Sequence, residues 1–156
     1  MATIKKKYFV IIGSLIQILF LSAPSYVYGE PIYSSFDVRF EKGLRYYSKA
    51  KFNVSMGIFT KLSSDYPSCS KCFYYGGKSA GKLASRANWF KAAELAKKTL
   101  RFFQTAYLLN PNDYEVARDL AQYYHTAPNF LGGDQKKGDR LKKRALNLKN
   151  NKVNKK

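Results

Sequence analysis

Apolar residues recur at spacings of three and four along much of the chain. The clearest run lies between Asn88 and Leu109, where Trp89, Ala93, Ala96, Leu100, Phe103 and Tyr107 fall on one helical stripe. Asn88 is placed to cap that helix, and Asn110-Pro111 ends it, because a residue before proline avoids the helical region. Shorter stripes of the same period run through Phe40, Leu44 and Tyr47, through Val54, Ile58, Phe59 and Leu62, and through Val116, Leu120 and Tyr124. No strand-type alternation competes over comparable lengths, so the pattern predicts an all-α chain of short helices joined by short turns.

These helices repeat. Gly43 and Tyr46 stand in the first helix of one hairpin, Ser55 and Phe59 in its second, and Pro67 follows Phe59 by eight residues. Thr99, Phe103 and Pro111 reproduce the same intervals of four and eight. After each proline a new first helix opens in matching register, with Phe73, Gly76, Gly77 and Ala80 in one case and Ala117, Leu120, Ala121 and Tyr124 in the other. Three hairpins follow, at about residues 36–67, 70–111 and 114–148.

On these positions the chain resembles the tetratricopeptide repeat family over most of residues 36–148. Leu109-Asn110-Pro111-Asn112-Asp113 is similar to the family's inter-repeat turn. The segment from Ala127 through Pro128, Asn129, Phe130, Leu131, Gly132 and Gly133 to Asp134, with Lys137-Gly138 after it, resembles the expanded turn of some exported bacterial members. The resemblance implies three antiparallel hairpins stacked as a short right-handed solenoid, in which Gly43, Gly77, Ala80, Ala121 and Gly138 let paired helices approach closely. Two departures stand out. Pro67 to Pro111 spans 44 residues where the family repeat has about 34, which places about ten extra residues around Ala84 to Lys91. Gly138 and Lys142 occupy positions where the family prefers Ala and an aromatic.

One hairpin cannot bury its apolar face alone, and three stacked ones are about the minimum for a continuous core. Phe59, Trp89, Phe90, Phe102 and Phe103 are therefore read as core filler. For function, the resemblance implies a groove along the first helices that binds a protein or peptide partner. Carried over position by position, the groove residues are Phe40, Leu44 and Tyr47, then Lys71, Tyr74, Lys78 and Lys82, then Glu115, Arg118, Gln122 and His125. Such a groove is aromatic at one end and cationic at its centre. The Lys and Asn constellation with which some relatives clamp a C-terminal carboxylate is not reproduced, so that ligand is not implied. For any one of these residues a solvated helix face is the competing reading.

The first thirty residues follow another pattern. Lys5, Lys6 and Lys7 precede an uncharged run of 14 residues from Tyr8 to Leu21, and Ser22-Ala23-Pro24-Ser25 then leads to Val27-Tyr28-Gly29, the order of a secretory signal peptide. A helix spanning a bilayer needs about 20 apolar residues, so a retained anchor is the weaker reading. Val27 and Gly29 set a cleavage site before Glu30, with Ala23 and Ser25 as the second choice, and no Cys lies near either for lipid attachment. The expected organisation is a signal peptide at 1–29, a linker at 30–35, a repeat domain at 36–148 and a disordered basic tail at 149–156. The expected destination is the periplasm or the exterior.

Composition adds charge to this picture. The 156 residues include 28 Lys or Arg against 10 Asp or Glu, a formal +18, yet a hydrophobic content of 46% is far too high for a disordered basic tail. Removing residues 1–29 takes away three Lys and no acid, so the chain from Glu30 keeps +15. Ten of the basic residues lie between Lys136 and Lys156, opposed only by Asp139. Leu141, Ala145 and Leu148 continue the helical spacing there, so Lys136, Lys137, Arg140, Lys142, Lys143 and Arg144 make the cationic outer face of a last helix. Such a face attracts anionic envelope or membrane surfaces, acidic proteins and nucleic acid alike. Nucleic acid is disfavoured, because base-reading motifs are missing.

Material for catalysis is scarce: one His, and two Cys in Cys69-Ser70-Lys71-Cys72 between the first and second hairpins. The sole cysteines of an exported chain suggest a local disulfide. Free thiols, a two-ligand metal site and thiol–disulfide chemistry are the other readings, the last supported by a helix start near Cys69 but lacking the βαβ setting of thioredoxin-like enzymes. Phe73 rather than His follows Cys72, against haem attachment, and a closed zinc site lacks two ligands. His125 reads as a surface or helix-end residue, and Glu115 and Asp119 share a helical face with Arg118, which offers them an ion pair. No catalytic, metal or cofactor site is expected. The expected function is an exported, non-enzymatic scaffold or adaptor that takes a partner segment in its groove. Its rival is a basic protein whose last helix and tail bind an envelope or membrane surface.

Overall fold

The computed structural model describes residues 34–153, so the signal peptide, its cleavage sites, most of the linker at 30–35 and the last three residues of the tail lie outside the described residues. Six α-helices follow in order: α1 (Ser35–Ser48), α2 (Phe52–Asp65), α3 (Ser70–Ala84), α4 (Trp89–Leu109), α5 (Tyr114–Thr126) and α6 (Gln135–Val153), with a 3-10 turn at Asn129–Leu131. Among the described residues there is no strand. They pair as three hairpins, α1/α2, α3/α4 and α5/α6, in an all-helical stack of the tetratricopeptide type.

Local chemistry explains most of the boundaries. Ser34 opens α1 with a capping box, its hydroxyl accepting the Asp37 N–H while the Asp37 carboxylate accepts the Ser34 N–H. Asn88 caps α4 as its sequence predicts, accepting the Lys91 N–H at 3.1 Å. Asp113 caps α5 through the N–H groups of Glu115 and Val116. At the end of α1 the N–H groups of Ala50 and Lys51 reach back to the carbonyls of Tyr47 and Tyr46, with Ala50 at φ 55°, a left-handed position usually given to glycine.

Two buried clusters run through the hairpins. One holds Phe59, Leu62 and Cys72 with Phe36, Phe40, Leu44 and Tyr75 packed against them; the other holds Tyr74, Phe103, Ala106, Val116, Leu120 and Tyr124. The repeat register has a direct steric meaning here. A Cβ on Gly43 would lie 2.7 Å from the Phe59 ring, and one on Gly77 would lie 2.7 Å from the Phe103 ring, so equivalent glycines seat equivalent phenylalanines.

The extra residues of the second hairpin enter α4, which has 21 residues against 15 in α3. The Ser70 hydroxyl donates to the Ala106 carbonyl, so at equal rise per residue α3 ends opposite about residue 92 of α4. The first turn of α4 therefore projects beyond its partner. This corrects the reading of Trp89 and Phe90 as core filler: they are 63% and 84% exposed, because no neighbouring helix covers that turn. Phe59 and Phe103 are buried, and Phe102 is half-buried against Phe73. At the other end α6 continues to Val153, so residues 149–153 of the tail expected to be disordered are helical; they contain neither Pro nor Gly to stop the helix.

Candidate partner-binding groove

Helices α1, α3 and α5 wall a groove of about 770 Å³ whose floor is Ala96, Thr99 and Phe103 of α4. Five residues placed there by their register line it: Tyr47 of α1, Lys78 and Lys82 of α3, and Arg118 and Gln122 of α5. Lys78 and Lys82, like Arg118 and Gln122, are four apart and so share a helix face.

Lys78 sits among aromatic faces, its ammonium 5.2, 5.1 and 5.5 Å from the ring centroids of Tyr47, Tyr74 and Tyr75. Neither Lys78 nor Lys82 makes an ion pair among the described residues. Beneath Lys78, the Tyr74 hydroxyl donates to Asp119 Oδ2 at 2.8 Å, and Arg118 Nη2 lies 2.7 Å from Asp119 Oδ1. Burial, and then the Asp119 carboxylate, push the Tyr74 phenol far above its ordinary value, so it remains a donor at neutral pH. The hydrogen bond to Asp119 outweighs desolvation and raises Arg118, keeping it charged. Tyr47 is raised by burial and then by Asp119. The groove thus has a neutral tyrosine wall, a carboxylate already occupied by Arg118 and Tyr74, and two ammonium groups that make no ion pair among the described residues, of which Lys78 rests on tyrosine rings.

The far wall is Tyr123, Thr126 and Leu131. The Tyr123 hydroxyl lies 2.9 Å from both the Ala96 and Leu131 carbonyl oxygens and donates to one or the other, tying the expanded turn to α4. Burial raises this phenol too.

Other residues assigned to the groove lie elsewhere. Phe40 and Leu44 pack into the first cluster, with the Phe40 ring edge-on to Phe59 at 5.4 Å. Tyr74 is fully buried and supports the floor, so it offers no surface to a partner. Aromatic rings in this register turn inward because burying them removes the most apolar area. Lys71 pairs with Asp113 at 2.9 Å and Glu115 at 3.4 Å, at the opposite end of α3 from Lys82. His125 turns toward α6, with Nε2 3.1 Å from Asp139. Tyr123 and Asp119 also line the groove, although the sequence pattern points to neither beyond an ion pair for Asp119; their separation of four, on the face of α5 next to Arg118 and Gln122, is the signal that marks them.

Cys69 and Cys72 are joined at 2.04 Å; Cys69 is the N-cap of α3 and Cys72 is buried in the first cluster. On α6, Lys136, Lys137, Arg140, Lys142, Lys143 and Arg144 are all exposed. Two of them serve the fold: Lys137 pairs with Asp134 at 3.2 Å, and Arg144 donates to the Pro111 carbonyl and to Asn112.

No family model matches this chain, and no curated protein matches it in sequence. Among solved structures its fold is similar to that of the MamA RS-1 ArsTM double mutant, MamA being a protein that contains tetratricopeptide repeats. The TM-score is 0.60 at 14% identity, over 76% of this chain and 58% of that one, so this chain spans less than two thirds of the other's length. At that identity the likeness is one of fold.

Proposed function

We propose that the chain is an exported, non-enzymatic scaffold or adaptor that holds a segment of a protein partner in the groove between α1, α3 and α5. The observation that carries this reading is the convergence of Tyr47, Lys78, Lys82, Arg118 and Gln122 on one concave surface, with neither lysine in an ion pair among the described residues. A peptide lays an apolar side chain on Ala96, Thr99 and Phe103 and sets its acidic groups against Lys78 and Lys82. The net charge of +15 on the chain from Glu30 steers such a segment in from solution, an effect that salt weakens.

The test uses the full chain as bait at low and high salt beside a Lys82→Glu, Gln122→Glu double variant, both positions being exposed. A discrete protein retained at high salt by the unaltered chain and lost with the variant is the expected result. Equal retention by both overturns the groove reading. Export is checked by sequencing the N-terminus of chain recovered outside the cytoplasm, which should begin at Glu30 or Tyr26.

A second reading rests on α6, where Lys136, Arg140, Lys142 and Lys143 are exposed and make no ion pair among the described residues. Such a face suits an anionic envelope or membrane surface, with the repeats as support. Binding of that kind collapses as ionic strength rises, whereas groove binding that buries tyrosine contacts survives better.

A further inference from the structure

The antiparallel hairpins place their three internal turns, 49–51, 85–88 and 127–134, on one edge of the stack and the two connecting turns, 66–69 and 110–113, on the opposite edge. The edges differ in charge. Taking each turn with four residues of helix on either side, the first edge carries eight Lys or Arg and a single acid, Asp134, which Lys137 neutralises at 3.2 Å; Lys91 pairs with Glu94, just beyond that span, at 2.8 Å, so six of the eight make no ion pair among the described residues. The turns of the second carry one Lys, Lys71, against Asp65, Asp113 and Glu115, and Arg144 of α6 reaches the same edge through its bonds to Pro111 and Asn112.

The cationic edge also holds the exposed aromatic rings. Trp89, Phe90 and Phe130 are 63%, 84% and 62% exposed, and among the described residues no other Trp or Phe is as open to solvent. They come from two different turns, and the Trp89 and Phe130 rings meet at 5.8 Å. Contacts within the stack hold their platform. Tyr123 ties the 127–134 turn to α4, and Gly132, at φ 90°, packs against Leu100 where a side chain would collide.

We propose that this turn edge docks on the surface of an anionic phospholipid bilayer. Trp89, Phe90 and Phe130 enter the boundary between headgroups and acyl chains, while Lys49, Lys51, Arg86 and Lys136 meet the lipid phosphates. Aromatic rings favour that boundary, and each nearby cation adds attraction to anionic lipid. Charge complementarity selects an anionic occupant. The rings select a lipid surface, because they project from an end of the stack as a wedge instead of lining a slot in which bases could stack. Among the described residues no helix is long and apolar enough to cross a membrane, so the contact made by this edge is superficial.

Trp89 is the only tryptophan in the chain and therefore reports on its own edge. The full chain is mixed with phosphatidylcholine vesicles that contain roughly one-third phosphatidylglycerol, with lipids brominated on the acyl chains as quenchers. Strong quenching of Trp89 in these vesicles and little in pure phosphatidylcholine is expected. A Phe90→Ser, Phe130→Ser variant with an unchanged far-ultraviolet circular dichroism spectrum should bind about tenfold more weakly per ring removed. Attachment through residues 8–21 or through α6 alone gives co-sedimentation without quenching, and that result overturns the proposal. Equal quenching in the double variant, or in zwitterionic vesicles, overturns it as well.

Discussion

Asp113 couples the turn between the second and third hairpins to the groove, because it caps α5, the helix that supplies Arg118, Asp119, Gln122 and Tyr123. Its Oδ1 accepts the N–H of Glu115 at 2.9 Å and of Val116 at 3.4 Å, while Oδ2 lies 2.9 Å from the Lys71 ammonium. Burial pushes the carboxyl up, but Lys71 and the two backbone N–H groups outweigh it and hold the group below its usual range. Asp113→Ala loses an N-cap, which costs about 1 kcal/mol. It also loses an ion pair worth about 0.5 kcal/mol once the 44% exposure of Lys71 is allowed for. For a domain of this size the loss of about 1.5 kcal/mol lowers the melting temperature by roughly 5–7 °C. Asp113→Asn keeps the cap and loses only the pair, so it should cost about 0.5 kcal/mol. A depressed carboxyl stabilises the fold fully above its unfolded pKa and loses that contribution as pH falls through the lower folded value. The gap between the unaltered chain and Asp113→Asn should therefore close below roughly pH 4. Thermal melts of the three proteins at neutral and acid pH decide the matter. An Asn variant as costly as Ala at neutral pH, or a gap that persists unchanged in acid, refutes the account of cap plus ion pair.

Three further outcomes follow from positions away from Asp113. Ala50→Gly should raise stability by about 0.5–1 kcal/mol, because Ala50 holds a left-handed conformation at the end of α1; a lower melting temperature counts against that end geometry. Gly77→Val should cost about 2–3 kcal/mol, since its Cβ would lie 2.7 Å from the Phe103 ring; an unchanged melt means that α3 and α4 do not approach as described. Reducing the Cys69–Cys72 disulfide opens a ring of only four residues, worth about 2 kcal/mol on chain entropy, so reductant should lower the melting temperature by several degrees; two thiols titrating before any reductant is added contradict the linkage.

The helices are legible in the sequence because their causes are local, such as the Asn88 cap and the stop at Pro111, and their pairing is legible because Gly43 with Phe59 and Gly77 with Phe103 recur in one register. The groove is legible only in part, because helical spacing says which residues share a face and not what lies opposite that face. Tyr74 and Lys78 are four apart, yet Tyr74 is buried because Asp119, 45 residues further on, takes its hydroxyl. Trp89 shares a stripe with Phe103, but a stripe is buried only where a neighbour covers it, and α4 begins before α3 can reach it. Trp89 and Phe90 are therefore the places where local pattern and fold disagree most. An apolar ring kept in water lowers solubility and adds nothing to the core, so a chain that carries two on one overhanging turn needs another reason for them. Contact with Phe130 and the concentration of cations on the same edge supply that reason in a single surface. In the groove, Lys78, Lys82, Arg118 and Gln122 stand where helical register alone would put them, so the arrangement of these four follows from the repeat, whereas the aromatic edge follows from the departure from it.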